Sequence, residues 1–335
     1  MSRRSRKSRR KLNSLFMMVL LSGMLMLSST YAWFSANKEV ALEGINAKVV
    51  AAEGLQISLD GEAWSSKITI NASTLAAATS NNFKWPDALV PVSTTGSTTA
   101  GNMDMFYGNV SSDGTQLTNA AKEADATTTK YISFDLYFKN SSSQATDILQ
   151  LNNGTSVAIA SDGKTGTGLE NCVRSAVVLY ENTALMTESG ENIRKIAAGT
   201  PKVCIWEPNY NQHIAEVVKN DSTRIASATS EFVTLGLKSI GDGTVTGVNA
   251  ATVEAENAFM AEQKTLRTAA SVTAAVNMPN LGSTSDNLLL KQNSVMKARV
   301  YIWLEGQDPD CIDTASTGKS IDVVLGFTKP AVKKD

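Results

Sequence analysis

Two stretches decide the fold class: YISFDLYFK at residues 131–139 and ARVYIWLE at residues 298–305. In the first stretch apolar residues occupy every second position, and successive side chains of an extended chain point to opposite faces. One face carries Ile132, Phe134, Leu136 and Phe138, and the other carries Ser133, Asp135 and Lys139. The second stretch alternates in the same way from Ala298 to Leu304. The pattern predicts antiparallel strands, the first of them half buried.

Similar alternation recurs on both sides of these stretches. Residues 55–59 lead into Asp60-Gly61, and a second apolar run ends at Ile70. Asp-Gly between such runs predicts a hairpin, because both turn positions favour positive φ. A last strand at residues 321–327 is expected to pair with its predecessor at residues 298–305. Further strands are predicted at residues 147–151, 157–160, 173–180 and 203–206.

The remaining segments read as insertions. Residues 211–225 and 253–270 have helical propensity and are interpreted as helices packed on a sandwich. Residues 74–125, rich in Thr, Ser, Ala and Asn, are the most loop-like part of the chain. Because polar loops rather than helices separate the strands, the sequence favours an all-β, antiparallel sandwich over a parallel sheet.

The charge is distributed unevenly along the chain. The protein has 335 residues and a formal net charge of -1. Seven of its 31 basic residues lie in residues 1–32, a segment without acidic residues. The rest of the chain is therefore acidic, whereas a nucleic-acid surface must be basic to neutralise phosphates. We expect no nucleic-acid partner.

The basic start leads into an export signal. An apolar run extends from Leu12 to Leu27, and small residues follow at Thr30 and Ala32. A positive segment, a short apolar segment and small residues in this order predict a signal peptide over residues 1–32, cleaved between Ala32 and Trp33. An uncleaved anchor is the alternative, and it would be the chain's one contact with a membrane. The expected location is secreted, either extracellular or at the cell surface.

The segment around the cleavage site resembles a known family. TYAWFS at residues 30–35 is similar to the cleavage region of SipW-dependent secreted proteins of Gram-positive bacteria, which include the TasA biofilm-fibre proteins and the camelysins. RVYIWLEGQDPDC at residues 299–311 resembles a stretch of secreted relatives. The resemblance implies a secreted, antiparallel jelly-roll-like β-sandwich, with helical and loop insertions here, that can polymerise. The protease activity attributed to camelysins is not carried over, because a histidine pair for zinc is missing from a sequence whose one histidine is His213.

The segment that follows the cleavage site is a candidate donor strand. Val40 and Leu42 alternate with Glu39, Ala41 and Glu43, and the alternation resumes at Ile45 after a one-residue shift at Gly44. Such a strand can complete a neighbouring sandwich and join subunits head to tail. It can equally be the first strand of its own sandwich. The predicted organisation is a signal peptide (1–32), an N-terminal segment (33–52), an elaborated sandwich domain (53–328) and a short basic tail (329–335).

Residues able to carry chemistry are few, and we expect no catalytic site, cofactor or metal. His213 is interpreted as a polar residue at the surface or rim. Cys172, Cys204 and Cys311 lack the paired spacing of a metal knuckle, and either one disulfide or buried free thiols fit the pattern. The acidic residues near the C-terminus are interpreted as a solvated turn, with calcium binding left open: Glu305, Asp308, Asp310 and Asp313.

These observations favour a secreted structural protein of the bacterial cell surface or extracellular matrix. Its expected partners are further copies of itself or other matrix proteins, with fibres formed by strand donation. The alternative is a module that binds a glycan or surface polymer through the aromatic residues Trp64, Trp85 and Trp206. An enzyme ranks third, because only dispersed carboxylates remain as catalytic groups.

Overall fold

The alternating stretches of the sequence lie at the centre of two facing β-sheets. A computed structural model of the chain describes residues 40–41, 45–51, 54–110, 117–122, 130–141, 146–147, 149–151, 155–222, 225–230, 232, 290–312, 315, 318 and 320–328. Within these ranges the structure contains seventeen strands and three short helices. The prediction of an all-β, antiparallel sandwich with insertions is confirmed.

The strands and helices have the following bounds. The strands are β1 (Val40–Ala41), β2 (Ile45–Ala51), β3 (Leu55–Ser58), β4 (Lys67–Ile70), β5 (Ala88–Leu89), β6 (Ser93–Thr99), β7 (Asn102–Val110), β8 (Leu117–Lys122), β9 (Ile132–Asn140), β10 (Thr146–Asp147), β11 (Gln150–Leu151), β12 (Ser156–Ile159), β13 (Val173–Leu185), β14 (Lys202–Trp206), β15 (Leu290–Lys291), β16 (Ser294–Leu304) and β17 (Ile321–Thr328). The helices are α1 (Ala72–Ala77), α2 (Gly190–Arg194) and α3 (Ala215–Asn220).

Three sheets organise most of these strands. Sheet I has the strand order β11–β17–β2–β4, and β12 also pairs with β17. Sheet II has the order β14–β13–β16–β9–β3, and sheet III the order β6–β7–β8. The short strands form two further pairs, β1 with β5 and β10 with β15. Among the described strands, the pair β2–β17 is parallel and the other pairs are antiparallel.

The main core fills the space between sheets I and II. Phe134 of β9 and Val300 of β16 point into it from sheet II, and Val323 of β17 does so from sheet I. The rings of Phe138 and Phe327 meet edge to face across the core, with their centroids 4.8 Å apart. Each such side chain stabilises the sandwich by about 1.5–3 kcal/mol through removal of apolar surface from water.

Sheet III covers the outer face of sheet II and forms a second core. Met103 and Met105 of β7 pack there against Tyr301 and Trp303 of β16. The backbone N–H of Met103 also donates a hydrogen bond of 2.9 Å to the Tyr301 hydroxyl. The expectation of a loop over residues 74–125 is therefore wrong for the three strands of sheet III, whose small polar residues form an extra layer rather than connections.

This extra layer also corrects the expectation for β9. Ser133 and Asp135, expected on a solvent-facing side, are both buried. Asp135 accepts a 2.9 Å hydrogen bond from Arg299 and forms a 2.9 Å ion pair with Lys297, both on the adjacent strand β16. The strand is buried on both faces, and Arg299 and Lys297 of β16 supply the charged partners of its polar residues Ser133 and Asp135.

The predicted hairpin at Asp60-Gly61 forms only next to its turn, where Ile57 and Ser65 exchange backbone hydrogen bonds of 2.8 and 2.9 Å. Beyond this bridge the two strands belong to opposite sheets. β3 pairs with β9 in sheet II, whereas β4 pairs with β2 in sheet I. Gly61 adopts a φ of 73°, and the Asp60 carboxylate accepts hydrogen bonds from the backbone N–H groups of Glu62 and Ala63 at 2.8 and 2.9 Å. Asp-Gly thus closes a short hairpin, after which the chain crosses to the opposite sheet at β4.

The last two long strands are separated in the same way. β16 pairs with β13 and β9 in sheet II, whereas β17 pairs with β2, β11 and β12 in sheet I. The expected pairing of β17 with its predecessor is therefore wrong. The intervening segment crosses one end of the sandwich, and there it builds the buried cluster described below.

The helices are short. In the stretch 211–225, expected to be helical, the helix α3 covers six residues, and the stretch 253–270 lies outside the described residues. A search of the described part of the chain found no helix long and apolar enough to cross a membrane.

Candidate functional site

A cluster of buried charged side chains lies at one end of sheet II. Arg174 stands near the start of β13, opposite Trp303 of β16. Glu207 directly follows β14, and Glu305 directly follows β16. Because β14, β13 and β16 are neighbours in the sheet, their ends bring the three charged residues together. All three are completely buried.

Arg174 holds two of the carboxylates. Its guanidinium donates to Glu207 Oε1 at 2.8 Å and also to a carboxylate oxygen of Asp308. It further donates to the backbone carbonyls of Asn171 and Val173 at 2.8 and 3.1 Å. Burial alone would lower the pKa of Arg174, but the charges of the surrounding carboxylates raise it above its usual range. Arg174 therefore stays a cation that fixes the ends of three strands.

Burial disfavours the ionised form of the Glu305 carboxyl. It accepts hydrogen bonds from Trp303 Nε1 at 3.1 Å and from the backbone N–H of Gln307 at 3.0 Å. Burial raises the pKa of Glu305 to about 7, although the Arg174 charge and these donors act in the opposite direction. Glu305 is consequently a group that titrates near neutral pH inside the protein.

Asp310 ties a separate segment to this turn through His213. Asp310 Oδ2 lies 2.6 Å from His213 Nδ1, and Oδ1 accepts a 2.9 Å hydrogen bond from the backbone N–H of Ile214, which precedes α3. His213 Nε2 lies 3.0 Å from the Ser230 carbonyl oxygen. Since both ring nitrogens face acceptors, the geometry favours the doubly protonated imidazolium. Burial acts to lower the pKa of His213, but the hydrogen bond and charge of Asp310 raise it overall.

This geometry corrects two expectations. His213 is buried rather than at the surface, and both of its nitrogens are engaged, so it is not placed to act as a general base. Glu305, Asp308 and Asp310 are also buried, so the acidic turn is not solvated. Asp313 lies outside the described residues. The described residues contain no group of three or more His, Cys, Asp or Glu side chains that could hold a metal ion.

A close approach of the backbone supports the turn. Gly168 has a φ of 82°, and a Cβ placed on it would lie 2.8 Å from the Asp310 carbonyl oxygen. Any other residue would be strained here both by conformation and by contact. The loop before β13 can therefore lie against the acidic turn only with glycine at this position.

The N-terminal strands β1 and β2 contain the described part of the candidate donor strand. Val40 pairs with Leu89, and Ile45 pairs with Ile321 at the start of the β2–β17 register. Four other residues named in the sequence analysis lie outside the described residues: Ala32, Trp33, Leu42 and Gly44. Beyond Ile45, β2 runs between β17 and β4, so in this single chain it is an interior strand of sheet I.

The tryptophans that would bind a glycan or surface polymer are buried or half buried. Trp206 is buried in the main core, and Trp85 packs against that core. Trp64 is half buried, and Lys139 Nζ lies 4.4 Å from the centroid of its ring. The three rings thus belong to packed surroundings rather than to one exposed platform.

The sequence contained signals for the buried cluster that residue-by-residue interpretation missed. Arg174 is a lone cation within the apolar stretch 172–180, and a buried cation needs an anion. Its acidic partners are separated from it by long stretches of chain.

Comparisons of the chain with protein-family models, curated proteins and solved structures find no match.

Proposed function

We propose that this protein is a secreted structural protein of the bacterial cell surface or extracellular matrix, of the TasA-like kind. Its subunits join into fibres when each donates its N-terminal strand to the next. The observation that carries the proposal is the position of β2 between β17 and β4. A strand near one end of the chain completes the interior of a sheet, so its place can be filled by the same strand of another copy.

The β2 strand of a second copy could make the same backbone hydrogen bonds that β2 makes within its own chain. It pairs in parallel register with β17 from Ile45 to Ala51 and in antiparallel register with β4 from Ala47 to Val50. Ala47, Val49 and Ala51 contribute to the main core. A neighbour's β2 would restore the same backbone hydrogen bonds and fill the same apolar positions. Exchange therefore changes the connectivity of the sheet without changing its contacts.

The connection after β2 limits how the subunits can be arranged. Three residues separate β2 in sheet I from β3 in sheet II. Fully extended, they span about 10 Å, so the acceptor sandwich must lie directly against the donor. A head-to-tail contact whose rotation does not close into a ring produces filaments.

A pair of cysteines tests strand donation directly. Lys48 of β2 and Val324 of β17 are partners in the parallel register, and both side chains are half buried. We would introduce Lys48→Cys and Val324→Cys together into the secreted protein, assemble it and oxidise it. Strand donation predicts a ladder of covalent multimers on a non-reducing gel, because the two cysteines of each bond then come from different copies.

The two single-cysteine variants are the matched controls, since they keep the native cysteines but lack the new partner. Filaments seen by electron microscopy together with a ladder specific to the double variant support the proposal. Filaments whose double variant cross-links only within monomers would exclude strand donation. Monomers alone under electron microscopy at high concentration would exclude the fibre.

A further inference from the structure

Two of the three cysteines meet in the main core. Cys172 directly precedes β13, and Cys311 lies in the turn that follows β16. Both side chains are buried, and both belong to the main core. The Cys172 thiol lies 3.2 Å from the Gly168 carbonyl oxygen, and a Cβ on Gly168 would lie 2.8 Å from the carbonyl oxygen of Asp310, the residue before Cys311. The two cysteines are therefore neighbours.

Backbone hydrogen bonds hold both Cys172 and Cys311 in place. The carbonyl oxygen of Cys172 accepts a 2.7 Å hydrogen bond from the backbone N–H of Glu305. The backbone N–H of Cys311 donates to the Asp308 carbonyl oxygen at 3.1 Å. Asp308 is in turn held by Arg174, two residues after Cys172. The ion pair and the two hydrogen bonds therefore position the same two strand ends that carry the thiols.

The third cysteine is placed elsewhere by strand register. Cys204 of β14 pairs with Val177 of β13, five positions along the strand from Cys172. At about 3.3 Å per residue, this offset amounts to about 16 Å. The Cα atoms of a disulfide are usually about 4.4–6.8 Å apart, so Cys204 cannot bond to Cys172 without movement of the sheet.

We propose that Cys172 and Cys311 form a disulfide when the chain folds in an oxidising environment, and that Cys204 stays a thiol. For the exported protein, this step belongs to the proposed function, which places folding outside the cytoplasm. Each thiol loses its proton, the two sulfur atoms form one bond, and two electrons pass to a disulfide oxidant such as oxidised glutathione. That oxidant is reduced to two thiols.

Burial sets the order of events. Burial, followed by the contact with Cys311, raises the pKa of the Cys172 thiol well above its ordinary value. The thiolate is the reactive form, so the folded, reduced protein is protected from oxidation. The bond forms before the turn after β16 closes over Cys172, and it then links β13 to the segment that leads into β17.

The test is refolding of the full chain from denaturant in a glutathione redox buffer, followed by alkylation under denaturing conditions and mass spectrometry. The proposal predicts one alkylated cysteine before reduction and three after it, with a linked peptide pair containing Cys172 and Cys311. Three alkylated cysteines before reduction, or a linkage that includes Cys204, would overturn it.

Variants separate the bond from other effects of oxidation. Cys204→Ser should keep the linked peptides, and adding reductant should lower its urea midpoint as it does for the wild type. Cys172→Ser should lose the linkage, and reductant should leave its midpoint unchanged. An equal effect of reductant on both variants would also overturn the proposal.

The refolding experiment does not depend on export or on assembly. Cysteine status in protein recovered from the growth medium tests whether the chain is exported to an oxidising compartment. Electron microscopy of the refolded sample tests whether it forms fibres. A bond in the refolded protein that is absent in cells would therefore count against the proposed export and leave the Cys172–Cys311 pairing intact.

Discussion

Replacing Glu305 by glutamine should remove much of the pH dependence of folding stability. Burial raises the pKa of Glu305 to about 7, compared with an ordinary value of 4.5. Between these pH values the unfolded chain has lost the proton that the folded protein still holds. The folded state binds more protons, so the free energy of unfolding falls as the pH rises through this window. At about 1.4 kcal/mol per pKa unit, the loss at Glu305 is about 3 kcal/mol by neutral pH.

His213 acts in the same direction at slightly higher pH. Although burial lowers its pKa, Asp310 raises it above 6.5 overall. Its contribution to stability is therefore complete below pH 6.5 and is lost as the pH rises through the folded-state pKa. We expect the wild-type protein to be more stable at pH 5 than at pH 8. Part of this dependence should persist in Glu305→Gln because His213 is unchanged.

The assay is urea unfolding followed by tryptophan fluorescence at intervals from pH 5 to pH 8. Trp303, whose indole contacts Glu305, is fully buried and becomes exposed on unfolding. The wild type should lose about 3 kcal/mol or more across this range, and Glu305→Gln should lose markedly less. Glu188→Gln, at an exposed position, is the matched control and should keep the wild-type slope. An unchanged slope in Glu305→Gln would refute the argument, whatever its absolute stability.

Three further predictions concern the same cluster. Replacing Arg174 by methionine leaves Glu207 and Asp308 buried without their cation. The free energy of unfolding at pH 7, measured by urea titration, should therefore fall by about 3–5 kcal/mol. A loss under about 1 kcal/mol would contradict this prediction. Replacing His213 by asparagine removes the cation that faces Asp310, which should lower the free energy of unfolding by about 1–3 kcal/mol. Proteolysis of the segment that carries residue 213 should become faster. An unchanged cleavage rate would count against a stabilising contact between His213 and Asp310. Treatment with EDTA should leave the melting temperature unchanged, because the carboxylates of Asp308 and Asp310 already bind cationic side chains, and a large decrease would instead indicate calcium at the turn.

Strand positions could be predicted from the sequence where apolar residues alternate. The stretch 131–139 corresponds closely to β9, and the alternation from Ala298 to Leu304 lies within β16. Alternation reports which residues share a face, but it does not report what covers the other face. Ser133 and Asp135 are polar and still buried, because sheet III and the charges of β16 satisfy them. Solvent exposure could not be deduced from their polarity alone.

Pairing and the buried cluster depend on tertiary contacts that local pattern does not encode. Asp60-Gly61 favours a turn in either setting, and only packing decides whether the next strand returns to the same sheet or crosses to the other. The acidic run after β16 looks solvated because charges are usually exposed. Its partners Arg174 and His213 are distant in sequence, so burial could be inferred only from the lone arginine in an apolar strand.

The parallel pair of β2 and β17 has a consequence for how the polypeptide reaches its final state. Residues 52–320 of the chain lie between these two paired strands. Until β17 is in place, sheet I lacks the partner that most of β2 pairs with, and closing so long a loop is slow. Completion of sheet I is therefore a late step of folding, even if the other strands have already paired.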